Sequence, residues 1–190
     1  MTSFGEYLTE SGENLRRLQA SGIEAQVQAA IVALRTALVA RKPVLVCGNG
    51  GSAADAQHIA GELVGRYERE RVAVPVLALA GDAATLTALA NDYGYDRVFA
   101  RQVEAHGQPG GVLLGLTTSG RSPNVLRAFE TARARGITTI AMTGEGGGQI
   151  AALSDILLAV PSKITARVQE MHICLYHYIC GQVEAGLAGE

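Results

Sequence analysis

The stretch Cys47-Gly48-Asn49-Gly50-Gly51-Ser52-Ala53-Ala54-Asp55-Ala56-Gln57-His58-Ile59-Ala60-Gly61-Glu62 constrains the fold most, because an apolar run enters a glycine turn and leaves it as a helix. Glycines at 48, 50 and 51 let backbone N–H groups approach an anion. Ser52 opens the helix as a capping hydroxyl, and the helix dipole adds partial positive charge at the same point. Asn49, Gly50, Gly51 and Ser52 are therefore the first candidate phosphate contacts. Further along the same helix, His58 and Glu62 stand four residues apart and project from one face, a spacing that suits a shared metal or a paired acid and base. A glycine turn alone is common, and an i,i+4 His/Glu pair is usually a solvated surface pair. Their succession on one short helix is what points to an enzyme acting on a phosphorylated small molecule. The turn has no Gly-Lys-Ser/Thr ending, so it is not a P-loop, and its glycines do not fit the dinucleotide G-x-G-x-x-G spacing.

The rest of the chain supplies the frame. Leu15, Leu18, Ile23, Val27, Ile31, Leu34 and Leu38 recur at helical intervals and predict two packing helices between about residues 3 and 41. Apolar runs follow at Pro43–Cys47, Pro75–Leu79, Val112–Thr117, Thr138–Met142 and Ile156–Val160, separated by helical stretches. That alternation predicts an α/β fold with a doubly wound parallel sheet and a ligand site at the strand carboxyl ends. A last helix over about 165–187 carries Ile173, Leu175, Tyr178, Ile179 and Val183 around most of its circumference, so it needs several neighbours, some of them from another subunit. With 190 residues and no linker or repeat, the expectation is one domain over 1–190.

A second turn, Thr117-Thr118-Ser119-Gly120-Arg121-Ser122-Pro123-Asn124, follows the third strand, with Ser122 at a helix N-cap and Pro123 in the first helical position. Capping needs only Ser122; the additional hydroxyls of Thr117, Thr118 and Ser119 suit a neutral phosphate site that releases its ligand readily. Sixteen Lys and Arg against eighteen Asp and Glu leave a net charge of −2 and no basic cluster, so neither direct nucleic-acid binding nor a membrane surface is expected. The sequence has no basic leader and no apolar run of about 18 residues, from which a cytoplasmic protein is expected. Cys47, Cys174 and Cys180 are read as reduced packing thiols, His172 as a packing histidine and His106 as a helix-end residue.

Asn49-Gly50-Gly51-Ser52-Ala53-Ala54-Asp55-Ala56-Gln57-His58, Asn91-Asp92-Tyr93-Gly94-Tyr95, Thr118-Ser119-Gly120-x-Ser122 and Val168-Gln169-Glu170-x-His172 together resemble the phosphoheptose isomerases of the SIS-domain family. The resemblance extends over nearly the whole chain. It implies a SIS fold, flavodoxin-like, with a five-stranded parallel sheet flanked by helices. It also implies a homotetramer with active sites between subunits, and exchange of sedoheptulose 7-phosphate with D-glycero-D-manno-heptose 7-phosphate through an enediolate, a step toward nucleotide-activated heptose. By the same resemblance Glu62 is the general base and His177 the general acid. His58, Glu62, Gln169 and His177 are the positions of one zinc ion per site, with no nucleotide or organic cofactor. Ser52, Glu62, Asn91, Asp92, Thr117, Thr118, Ser119, Ser122 and Gln169 contact the sugar phosphate.

An unbroken helix separates Gln169 and His177 by roughly 12 Å along its axis and about 80° around it, so either two chains build each site or the helix is distorted between them. Ala80-Gly81-Asp82-Ala83-Ala84 departs from the family's hydroxyl-rich pattern, which bears on the choice of sugar. Two readings of another class stand beside the isomerase: a non-catalytic SIS protein that binds a replication initiator, and a sugar-phosphate sensor. Glu62 and His177 argue against the first, and the lack of an attached DNA reader and of basic charge argues against the second. An isomerase for a related sugar phosphate remains open.

Overall fold

The computed structural model describes residues 2–189, so the ends of the expected 1–190 domain, Met1 and Glu190, lie outside the described residues. Strands β1 (Val44–Gly48), β2 (Val76–Ala78), β3 (Val112–Thr117), β4 (Thr138–Thr143) and β5 (Ile156–Ala159) form one parallel sheet in the order β2-β1-β3-β4-β5. Val44 pairs with Val76 on one side and Val112 on the other, and Gly48 ends opposite Leu116. Every residue of β1 and β3 is buried, which is why these strands read as continuous apolar runs without alternation. The chain leaves β1 toward β2 and then crosses back to β3, so a crevice opens at the carboxyl ends of β1 and β3 where the winding reverses.

Helices α2 (Glu24–Val39), α3 (Gly51–Val64) and α7 (Thr165–Ala188) bury Leu34, Leu38, Ile59, Leu63 and Ile179 against one face of the sheet. Helices α5 (Val98–His106) and α6 (Pro123–Ala134) bury Phe99, Val103, Val125 and Phe129 against the other, with α4 (Ala83–Tyr93) half-buried beside them. Helix α1 (Phe4–Gln19) starts in a capping box between Ser3 and Glu6 and lies on α7. Its anchor is Arg167. This guanidinium is 4% exposed, pairs with Glu10 and Glu170 at 3.0 Å and sits 3.7 Å from the Tyr7 ring centroid.

Two sequence expectations shift locally. Helix α3 begins at Gly51 with Gly50 as N-cap and no side-chain cap, so Ser52 lies inside the first turn and its hydroxyl does not cap the helix. The physical reason is Gly50: at φ 56° and ψ −123° it makes the chain reversal alone, in a region open to glycine. Cys174 is exposed, whereas Cys47 and Cys180 are buried thiols pushed up to about 12 by burial. Among the described residues no single helix is long and apolar enough to cross a membrane.

Two buried contacts bind the layers and generate predictions. In the middle of β3, a Cβ on Gly115 would run into the Phe129 ring and lie 3.1 Å from Val125 Cγ1, so α6 reaches the sheet only over a glycine. Gly115→Ala is expected to lower unfolding stability by about 1–3 kcal/mol, measured by urea denaturation. His172 is buried beneath β4 with Nε2 3.2 Å from the Thr143 carbonyl, and burial pushes its pKa from 6.5 down to about 4. The unfolded imidazole takes up a proton near 6.5 and the folded one resists until about 4. Stability is therefore full above that window, falls as pH drops through it, and levels below it, a total of about 3 kcal/mol. Urea titrations between pH 7 and 4 are expected to show this loss in the parent and a flatter profile in His172→Gln.

Candidate active site

At the crevice between β1 and β3 lies an open pocket of about 310 Å³ lined by Asn49, Gly50, Gly51, Ser52, Leu116, Thr117, Thr118, Ser122, Thr165 and Gln169. Three helices start there: α3 at Gly51, α6 at Pro123 and α7 at Thr165. Their dipoles supply the positive potential that an anion needs, and no Lys or Arg lines the wall. Ser122 occupies the N-cap position of α6, yet its Oγ lies 3.0 Å from Thr117 Oγ1 and makes no capping bond. The hydroxyl pair faces inward as a ready donor set. Gly51 is glycine because a Cβ there would strike the carboxamide of Gln169, which α7 brings over the turn.

The two loops are locked together by a pairing that sequence reasoning did not foresee. Asn49 and Asn124 exchange amide hydrogen bonds of 2.9 and 2.8 Å, and the Tyr95 hydroxyl donates to Asn49 Oδ1 at 2.9 Å. Nothing in one sequence announces that Asn49 and Asn124 meet across 75 positions. Ser119 is exposed and accepts a bond from the Arg121 N–H, outside the pocket wall. Asn91 and Asp92 lie exposed at the end of α4, with Asn91 Nδ2 donating to Asp92 Oδ1 at 2.8 Å, and they too are outside the wall. Asp82 caps α4 by accepting from the Ala84 and Thr85 N–H groups, which accounts for the acidic residue in the Ala80–Ala84 segment.

Two turns further along α3 a second group forms. His58, Glu62 and His177 each present one ligand atom, all within 4.8 Å of one another. His58 Nε2 is 2.9 Å from Glu62 Oε1 and 3.4 Å from His177 Nε2. Behind it, Tyr176 donates its only proton to Asp55 Oδ1 at 3.3 Å and lies 2.9 Å from His58 Nδ1. The phenolic oxygen is then placed to accept from His58 Nδ1–H, and in the neutral imidazole Nε2 turns its lone pair toward the carboxylate. Burial raises the pKa of Tyr176, with Asp55 adding to the effect, so the phenol keeps that proton. Burial likewise raises Asp55, against the Tyr176 hydrogen bond and the charge of His58.

Two imidazoles and a carboxylate so arranged fit a cation. A tetrahedral zinc with Zn–N of about 2.0–2.1 Å holds its nitrogens roughly 3.3 Å apart, close to the observed separation of the two histidines. The buried Tyr176–Asp55 pair supplies the outer-shell hydrogen bond that such ligands require. Gln169 is not beside this trio. It sits eight residues earlier on α7, against the Gly50–Gly51 turn, and α7 is unbroken between the two positions.

A SIS-domain family profile matches residues 6–144. The phosphoheptose isomerase of Rhodospirillum rubrum is 55% identical over 144 residues, covering 76% of this chain and 77% of its own length. That of Burkholderia pseudomallei is 46% identical over 189 residues, covering 97% and 96%. The solved structure of the phosphoheptose isomerase of Neisseria gonorrhoeae superposes with a TM-score of 0.88 at 42% identity, over 95% of this chain and 96% of that one.

Gly51→Ala tests the first pocket. The added methyl meets only the far end of Gln169, so the thermal midpoint should hold while the displaced carboxamide leaves the turn. Affinity for inorganic phosphate, measured calorimetrically, is expected to fall about tenfold, the worth of one hydrogen bond.

Proposed function

This chain belongs to the phosphoheptose isomerases of the SIS-domain family, and on that premise we propose that it interconverts sedoheptulose 7-phosphate and D-glycero-D-manno-heptose 7-phosphate. The observation that carries the reading is the pairing of a cation-free phosphate pocket with a carboxylate–imidazole group on the same two helices. Ser52, Thr117, Thr118, Ser122 and the turn at Asn49, Gly50 and Gly51 line the pocket and hold the phosphate; Ser119 for the phosphate and Asn91 and Asp92 for sugar hydroxyls, all outside that wall, are assigned by the family resemblance alone.

The reaction moves one proton between adjacent carbons of the open sugar and one between their oxygens. Glu62 takes the proton from C1 of the ketose and returns it at C2, while His177 transfers protons between O1 and O2. Oxygen Oε1 of Glu62 faces His58, so the second carboxylate oxygen is assigned the carbon proton. His58, Glu62 and His177 hold zinc, which when bound supplies a Lewis acid beside the developing enediolate charge. Tyr176 and Asp55 keep His58 in the tautomer whose Nε2 is a ligand.

The reading includes a homotetramer with shared sites, and the unbroken length of α7 supports a second chain at each site. Gln169 lies at the phosphate pocket, and His177 is roughly 12 Å further along the unbroken helix. A Gln169 that completes the zinc set must come from another chain, which then brings its own phosphate pocket with it. Exposed Phe4, Leu8, Ile173 and Tyr178 supply apolar surface for such an assembly. Free thiols, one of them exposed, fit a reducing cytoplasm. A pure binding protein or sensor would have no use for the trio and its buried support.

Purified protein is expected to form aldoheptose 7-phosphate from sedoheptulose 7-phosphate, to lose turnover on chelation and to regain it with zinc. Glu62→Gln should cut kcat by about 10²–10⁴ while sugar-phosphate affinity stays within a few fold. Unchanged turnover would remove Glu62 from the mechanism. Shared sites are checked by refolding Glu62→Gln together with Gln169→Ala. Each variant alone is expected to be inactive and the mixture active; an inactive mixture, or a fully active monomer, would assign each site to one chain.

A further inference from the structure

Beyond α3 the chain doubles back, and a buried carboxylate on α7 holds it there. Glu184, 1% exposed, accepts three consecutive backbone N–H groups: Tyr67 on Oε1 at 2.7 Å, and Glu68 and Arg69 on Oε2 at 2.7 and 2.8 Å. Arg71, 2% exposed, lies 3.5 Å from the same carboxylate. The guanidinium also donates to the Glu62 carbonyl at 3.0 Å and the Gly65 carbonyl at 2.8 Å, closing the C-terminal end of α3, where helix carbonyls lack intrahelical partners. The loop so fixed puts the Tyr67 ring 5.9 Å from the His177 ring, and a Cβ on Gly181 would lie only 3.3 Å from Tyr67.

Each end of this connection is a residue or helix turn of the proton-transfer group. Arg71 grips the peptide of Glu62 itself, and Glu184 stands two turns beyond His177 on α7. Nothing in it approaches the phosphate pocket of its own chain, which lies at the opposite ends of both helices. We propose that the Arg71–Glu184 pair is a positioning device for catalysis: it sets the register of α3 against α7, and so the separation of Glu62 from His177. The pair touches neither substrate nor metal and acts through those two residues. The inference rests on the isomerase reading of Glu62 and His177.

The test compares Glu184→Gln, Arg71→Lys and the double variant Arg71→Met/Glu184→Gln, each assayed for turnover, zinc affinity and inorganic phosphate affinity. Glutamine keeps one acceptor and turns an NH₂ toward N–H donors, so the loop is released. Expected are a fall in kcat of at least about tenfold and zinc binding weakened by about tenfold. The KM for sugar phosphate and the affinity for inorganic phosphate should stay within about threefold of wild type. Arg71→Lys keeps the charge without the fork and should lie between wild type and Glu184→Gln. The double variant should be no worse than the weaker single one, since the two residues act as a unit.

Unchanged kcat and zinc affinity in the folded variants would overturn the proposal. So would losses in which phosphate affinity and turnover decline together with the folded fraction, the pattern of a merely structural ion pair. If Glu184→Gln does not fold, Arg71→Lys is judged by the same split. A wild type that turns over no sugar phosphate would sink the isomerase reading, and zinc affinity in the variants would still decide the clamp.

Discussion

Helices α3 and α7 start at one pocket and run away from it side by side, and their contact fixes what the site can do. Gly51 meets Gln169 at the near end, Tyr176 meets His58 and Asp55 in the middle, and Glu184 holds the chain beyond α3 at the far end. Neither helix could shift by a turn, about 5.4 Å, without breaking all three contacts. Binding is thus assigned to the first turns of the pair and proton transfer to the turns that follow. The sheet contributes by ending β1 and β3 level with each other, Gly48 against Leu116, so that both loops open into one crevice.

The absence of cations from the phosphate pocket has a physical consequence. A lysine or arginine would tighten ground-state binding of substrate and product alike, which lowers KM without raising kcat. On the proposed reading helix termini and hydroxyls hold the phosphate by geometry, and the reciprocal Asn49–Asn124 bonds tie the two loops together. Because these donors are fixed by the fold, binding need not organise them first.

Local signals were legible in the sequence and remote pairings were not. The apolar runs matched the five strands to within a residue or two, most plainly in β1 and β3, where burial on both faces leaves no competing polar pattern. The glycine turn and the i,i+4 spacing of His58 and Glu62 are written in consecutive residues. Asn124, Tyr176, Asp55 and Glu184 act only through partners that lie 75 to 121 positions away, and a single sequence does not register such meetings. Ser52 was misread as a cap because a serine after glycines satisfies the capping rule, while the reversal belongs to the positive-φ Gly50. Cys174 was misread as packed because α7 is apolar around most of its surface and the sequence alone does not tell a core-facing side from an exposed one.

The proton order around His58 ties the buried core to the chemistry. Tyr176 has one proton and gives it to Asp55, so the phenolic oxygen is left to accept from His58 Nδ1–H, and the neutral imidazole then aims a lone pair at Glu62. A lone pair and a carboxylate oxygen 2.9 Å apart repel unless a cation or a proton lies between them. A second imidazole nitrogen at 3.4 Å makes a metal the better solution, because one ion satisfies all three donors and a proton serves only two. The same buried phenol that stabilises the contact between α3 and α7 thereby decides what the surface trio can bind. On the proposed zinc reading, a hydroxyl at position 176 would bear on the choice of metal as the ligands themselves do.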